Sequence, residues 1–201
     1  MRSTSTRRRN WLISRRSSRC AAPGRVTLLL GNHDFHYLSY VVERYSGYSF
    51  ATQRALGRRV DEWVAEGILE AAAYLDGRLY THAGVTRTWA VDWNVAVAPT
   101  DLPQALAELL HYRPRAFGFH TDVGAASQDP SGDDVWQGPL WVRPRSLRAD
   151  AYCGGQVFGH TVVGAAGIEV GEVGFSVDGL SRGEWVVVRE GVAEVRRDKG
   201  R

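Results

Sequence analysis

Three short stretches of this chain end in the same way. LLLGNHD (Leu28–Asp34), LYTHAG (Leu79–Gly84) and VFGHT (Val157–Thr161) each run an apolar segment into a glycine-flanked polar residue. Glycine lets the backbone turn sharply and approach another group closely. Strand ends in α/β proteins aim side chains into a common crevice. Asn32, His82 and His160 are therefore candidates to meet at one point. An amide oxygen and two imidazole nitrogens make a mixed N/O donor set, which suits manganese, iron or zinc better than calcium, an ion that prefers oxygen alone. Singly, each stretch has a plainer reading. A histidine after a strand is commonly a hydrogen-bonded structural residue, and Asn and Asp both favour turns. Three such ends in one chain raise the chemical reading above the structural one.

The elements that must carry these ends can be read from the apolar pattern. RVTLLL (Arg25–Leu30) reads as a short buried strand. From Ser49 to Leu75 the pattern is helical, with Leu56, Val60, Trp63, Val64 and Ile68 at three- and four-residue steps. Gly77 breaks the chain, and RLYTHAGV reads as a second strand running into a loop. A helix is expected over Asp101–Leu110, capped by Asp101 and with Pro103 in its first turn. Thr121–Gly138 is polar, glycine-rich and acidic, the composition of a loop. QVFGHTVV is a third strand-then-loop unit. GFSVDGLSRG and EWVVVREGVAEVRR read as β-hairpin material with turns at Ser181–Gly183 and Glu190–Gly191. No internal repeat is present. The order predicts a layered α/β domain with a late all-β portion.

A chain of 201 residues that is 44% hydrophobic can bury one proper core. No apolar run approaches the ~20 residues of a membrane-spanning helix, so no membrane partner is expected. Cys20 and Cys153 match no metal spacing, and two thiols suit a reducing, cytoplasmic compartment. The net charge of +3 is uneven: residues 1–34 hold eight Arg and one acid, Asp34, a net +7 that leaves −4 for the rest. Residues 1–24 form a basic Arg- and Ser-rich head, read as a disordered or mis-started segment, with the domain proper at 25–201. Lys199 is the single lysine, so the basic balance reflects arginine usage and is weak evidence for nucleic-acid binding. Trp136 and Trp141 are expected in the core. His36, His111 and His120 match no motif and read as ordinary.

GNHD, then HAG, then GHT in this order resembles the calcineurin-like metallophosphoesterase superfamily. The nearest form is its phosphoprotein-phosphatase branch, which includes the Shewanella-like phosphatases and the symmetrical diadenosine tetraphosphatases. GPLWVR (Gly138–Arg143) and VDGLS (Val177–Ser181) add to the likeness, which spans roughly Val26–Gly183. The resemblance implies a layered β-sandwich flanked by helices. It implies that Asn32, His82 and His160 hold one ion of a metal pair, manganese, iron or zinc. His33 would be the general acid that protonates the leaving alkoxide, and Asp34 would support its loop. Arg143 would clamp phosphate, with Arg145 and Arg148 as alternatives. The substrate class would be phosphoproteins or small phosphorylated molecules.

The chain departs from the family before GNHD. The Asp-x-His and Gly-Asp-x-x-Asp-Arg motifs that supply the second ion are not present, since no Asp, Glu or His precedes His33. The expected fold is therefore N-terminally incomplete, with an exposed strand edge and at most one metal ion. Asp122, Asp129, Asp133 and Asp134 are read as a solvated acidic loop, not as replacement ligands. Three functions follow as expectations. The first is a metal-dependent phosphoesterase using a metal-activated water. The second is a weakly active or inactive remnant that binds metal or phosphate without turnover. The third, disfavoured because no recognition element accompanies the arginines, is nucleic-acid binding through the head.

Overall fold

The computed structural model describes residues 26–119, 132–162, 168–169, 171–189 and 192–197. The basic head, the acidic residues Asp122 and Asp129, His120, and the Glu190–Gly191 turn lie outside these. The apolar run before GNHD forms β1 (Leu28–Leu29), which pairs in parallel with β2 (Leu69–Glu70). The Leu30 N–H extends that ladder by donating to the Glu70 carbonyl at 2.9 Å. This strand is shorter and more open than the buried one expected: Leu28 is 45% exposed, whereas Leu30 is fully buried. Among the described residues β1 pairs with β2 alone, which leaves its other edge without a strand.

The long helical pattern splits in two. Ser49 caps α2 (Phe50–Ala65), its side chain accepting from the Thr52 N–H. Val60 and Gly57 face the core, while Leu56 stays exposed. The helix then stops, ten residues before the expected Leu75 end. Gly67 takes a positive φ of 67°; its N–H reaches the Val64 carbonyl and the Ile68 N–H reaches Trp63, a left-handed cap that closes the last turn. Residues 69–75 become strands instead, because β2 has a ladder partner in β1 and β3 (Ala72–Leu75) has one in β4 (Arg78–Thr81). Tertiary pairing here overrides local periodicity. An Asp76–Gly77 pair with φ of 49° and 75° makes the tight β3–β4 turn, which matches the twist of the strands it joins.

The central sheet has the order β3-β4-β5-β7-β6, adding β5 (Gln156–Phe158), β6 (Ile168–Glu169) and β7 (Gly174–Ser176). Strands β4, β5 and β7 run parallel; β3 and β6 are antiparallel at the two edges. Three further helices surround the sheet: α3 (Arg87–Asp92), α4 (Leu102–Tyr112) and α5 (Pro144–Asp150). As expected, Asp101 stands at the start of α4 and Pro103 in its first turn, although Asp101 makes no side-chain cap bond. Leu102, Leu106, Leu109 and Leu110 bury one face of α4, which packs on β3. Trp89 anchors the main core with Phe35, Leu79 and Phe117, and its indole N–H donates to the Ala116 carbonyl at 3.1 Å. A second cluster of Ala83, Val142, Leu147, Phe158 and Val173 lies directly behind the ends of β4 and β5. The architecture is thus a mixed α/β one with several small sheets.

One expectation about the C-terminal strands and one about a tryptophan need correction. GFSVDGLSRG has the composition of a hairpin, but its strand β7 joins the central sheet between β5 and β6. The hairpin is formed by β8 (Glu184–Arg189) and β9 (Val192–Arg197), a separate two-stranded sheet. Trp136, expected in the core, is 38% exposed.

Gln156 ties β5 to the loop between β4 and α3 through a fully buried side chain. Its amide N–H groups donate to the Val85 and Cys153 carbonyls, and its Oε1 accepts from the Val85 N–H at 2.8 Å. Replacement by leucine would strand three buried backbone groups. Gln156→Leu is expected to lower unfolding stability by about 2–4 kcal/mol, measured by urea unfolding.

Candidate metal centre

Because β4, β5 and β7 are parallel, their carboxyl ends open at the same edge of the sheet. His82 follows β4, His160 follows β5, and Val177–Leu180 follow β7. Two bonds draw these ends together: the Gly159 N–H donates to the His82 carbonyl at 2.8 Å, and the Val177 N–H to the Phe158 carbonyl at 2.7 Å. Asn32 arrives from the other sheet, as the first residue of the short helix α1 (Asn32–Phe35) beyond β1. Asn32, His33, His82, Gly159, His160 and Val177–Leu180 line one cleft of about 420 Å³.

At its floor the three candidate donor atoms meet. His82 Nε2 lies 2.9 Å from Asn32 Oδ1 and 3.2 Å from His160 Nδ1. Asn32 Oδ1 is an acceptor, so the His82 Nε2–H donates to it. One Nε2 proton cannot serve both contacts, so the two short separations are not both hydrogen bonds donated by His82. Two ligands on one ion, each about 2.1 Å away, lie about 3.0–3.4 Å apart for right-angled to tetrahedral geometry. The observed separations fit that spacing. Both rings are neutral at ordinary pH, as ligands must be. Burial holds the His82 pKa down at about 4, helped by His160 and His33. Burial also lowers His160 to about 4, reinforced by Arg143 and His33 and opposed by Asp178.

No family model matches this chain, and no curated protein does. A solved cold-active protein tyrosine phosphatase is similar over 86% of this chain and 57% of its own, at 16% identity and a TM-score of 0.40. The chain spans little more than half the length of that structure, and a likeness of this size decides neither family nor chemistry.

The local backbone explains how each side chain is aimed. Asp34 Oδ2 accepts the Gly31 N–H at 3.0 Å and so ties the GNHD turn to its own first residue. His160 has a φ of 67°, a left-handed conformation that costs a non-glycine residue about 1–2 kcal/mol. That strain turns its Nδ1 toward His82; its buried Nε2 has no hydrogen-bond partner among the described residues. His33 stands exposed at the cleft rim. Arg143, at the start of α5, acts on His160 electrostatically but does not line the cleft. Asp133 and Asp134 are half-buried, accepting from the Ser146 and Trp136 N–H groups. Among the described residues no cluster of three or more His, Cys, Asp or Glu could hold an ion; the grouping at the cleft is two imidazoles and an amide.

Asp178, Val177 and Leu180 were not predicted as site residues. The signal was present: SVDG repeats the strand-then-polar-then-glycine layout, but a carboxylate after a strand also reads as a turn. His36 is fully buried, walled by Tyr37, Tyr45 and Tyr48, and burial lowers its pKa. Trp141 is half-buried and packs edge-on to His160 and against Tyr45.

Removal of the Asp34 carboxylate should free the Gly31 N–H. Asp34→Ala is expected to lower stability by about 1 kcal/mol, read as a fall of about 2–4 °C in the thermal midpoint.

Proposed function

We propose that the chain is a metal-dependent phosphoesterase with one ion held by Asn32, His82 and His160. The observation that carries this reading is the convergence of Asn32 Oδ1, His82 Nε2 and His160 Nδ1 at the floor of a cleft rimmed by His33. The ordered GNHD, HAG and GHT motifs support the same reading, and with it a metallophosphoesterase-type layered sandwich. A bound manganese, iron or zinc ion would supply Lewis acidity and a water of lowered pKa. The protein's own groups do the rest. Asn32, His82 and His160 hold neutral donors inward. His33 gives its proton to the departing oxygen of the ester. Arg143, outside the cleft lining but near enough to act on His160, would have to turn inward to offer its planar two-pronged donor to phosphate oxygens. Asp34 keeps the His33 loop in register. The substrate is a phosphoprotein or a small phosphorylated molecule, and the thiol count favours a cytoplasmic setting. Among the described residues no helix is long and apolar enough to cross a membrane.

A second reading is binding without turnover. It is favoured by the donor set itself, which carries no negative charge and three protein atoms. The experiment that separates the two is manganese-dependent hydrolysis of p-nitrophenyl phosphate, run beside metal analysis. His33→Ala is expected to cut kcat by about 10²–10⁴-fold with manganese content unchanged. Equal rates for variant and parent would remove His33 from the mechanism. Manganese uptake with no turnover in the parent would select the binding reading.

A further inference from the structure

The reading above uses the floor of the cleft and leaves its other wall idle. That wall is Val177–Leu180, the segment leaving β7. Leu180 is 78% exposed at the rim and Val177 is half-buried beside it, while Gly179 and Gly159 present bare backbone. An exposed leucine is ordinary by itself. This one is held in place. The Leu180–Arg182 turn closes through Arg182 N–H to the Gly179 carbonyl, and the Glu184 N–H donates to the same oxygen. Glu184, only 5% exposed, accepts from Arg182 Nε at 3.2 Å and from Arg197 Nε at 2.9 Å, and Arg182 also donates to the Asp178 carbonyl. A buried carboxylate therefore links the wall to both strands of the β8–β9 hairpin. The cleft, about 420 Å³ and open to solvent, extends from the donor atoms along this wall.

We propose that this wall seats the leaving group of the ester and that Leu180 makes the site prefer an apolar or aromatic one. The inference rests on the phosphoesterase reading. Apolar surface on the leaving group is taken out of water against Leu180 and Val177. The Asp178 carboxylate in the same wall works against a leaving group that carries further negative charge.

The test compares Leu180→Ala with the parent, both saturated with manganese. Turnover is measured on p-nitrophenyl phosphate and glycerol 2-phosphate, and binding of phenylphosphonate and methylphosphonate by calorimetry. The aryl-over-alkyl ratio is expected to fall about tenfold in both pairs. Turnover with an unchanged ratio overturns the proposal and leaves the phosphoesterase reading standing. If neither ester turns over, that reading falls and the phosphonates still decide the wall. A phenyl preference lost in Leu180→Ala supports it; no phenyl preference, or one insensitive to the substitution, overturns it.

Discussion

His82→Ala is expected to abolish manganese uptake while the chain stays folded. His82 Nε2 is the atom that both other donors touch, at 2.9 and 3.2 Å, so its loss leaves Asn32 and His160 without a shared centre. Disturbing even the outer partners of a metal site costs 10–100-fold in affinity. Removing one of three neutral ligands should exceed about 100-fold and bring metal content from about one per chain to background. A His160→Gly variant makes the comparison sharper. Glycine relieves the positive φ of 67° but costs unfolded-chain entropy, and these terms nearly cancel. Its thermal midpoint should stay within a few degrees of the parent while manganese is lost. Elemental analysis after dialysis, with calorimetric titration, reads both variants. A His82→Ala protein that holds manganese as the parent does would place the ion elsewhere.

Gly174→Ala is expected to be strongly destabilising, its added methyl meeting backbone more closely than at the other described glycines compared. Gly174 pairs with Gln156 across the β5–β7 ladder and has a φ of 147°, which L side chains rarely adopt. A Cβ there would lie 1.8 Å from the Gln156 carbonyl oxygen and 2.7 Å from its carbonyl carbon and nitrogen. These are backbone atoms inside a sheet and cannot swing aside. The strand β7 must separate from β5, which breaks the ladder that carries Val177–Leu180 into the cleft. A cost above about 4 kcal/mol follows, enough to unfold a marginal domain. Soluble yield and a urea melt measure it; a variant with the parent's midpoint would show that this ladder is not as closely packed as the geometry requires.

Several elements could be read from local chemistry because local chemistry decides them. Pro103 marks the first turn of α4 whatever surrounds it, although Asp101 before it makes no cap bond, and Gly77 with Asp76 supplies a turn that few other pairs adopt. The helix end at Ala65 was missed for a different reason. Trp63, Val64 and Ile68 continue a helical period, and that period masked a local stop signal in Gly67; what no local pattern records is that Leu69 and Glu70 find a ladder partner in β1, forty residues away. GFSVDGLSRG went wrong in the same way: its β-rich composition was legible, but whether β7 pairs with β8 or slips between β5 and β6 depends on the whole sheet.

The site divides along the same line. Residue order alone named Asn32, His82 and His160, since a strand ending in a glycine-flanked polar residue is a local event written in consecutive letters. That two of these ends lie on parallel neighbours, that the third reaches them from another sheet, and that Asn32 Oδ1 and His160 Nδ1 each come within 3.2 Å of His82 Nε2 were decided by tertiary structure. Composition also could not show that Asp133 and Asp134 spend their oxygens on backbone N–H groups, or that Leu180 would be pinned at the cleft rim by Glu184. Local sequence sets which chemistry each strand end carries, because side-chain type and backbone turn are near-neighbour properties. Which ends face one another depends on strand order and register, and those are settled by burial and hydrogen bonding summed over the sheet.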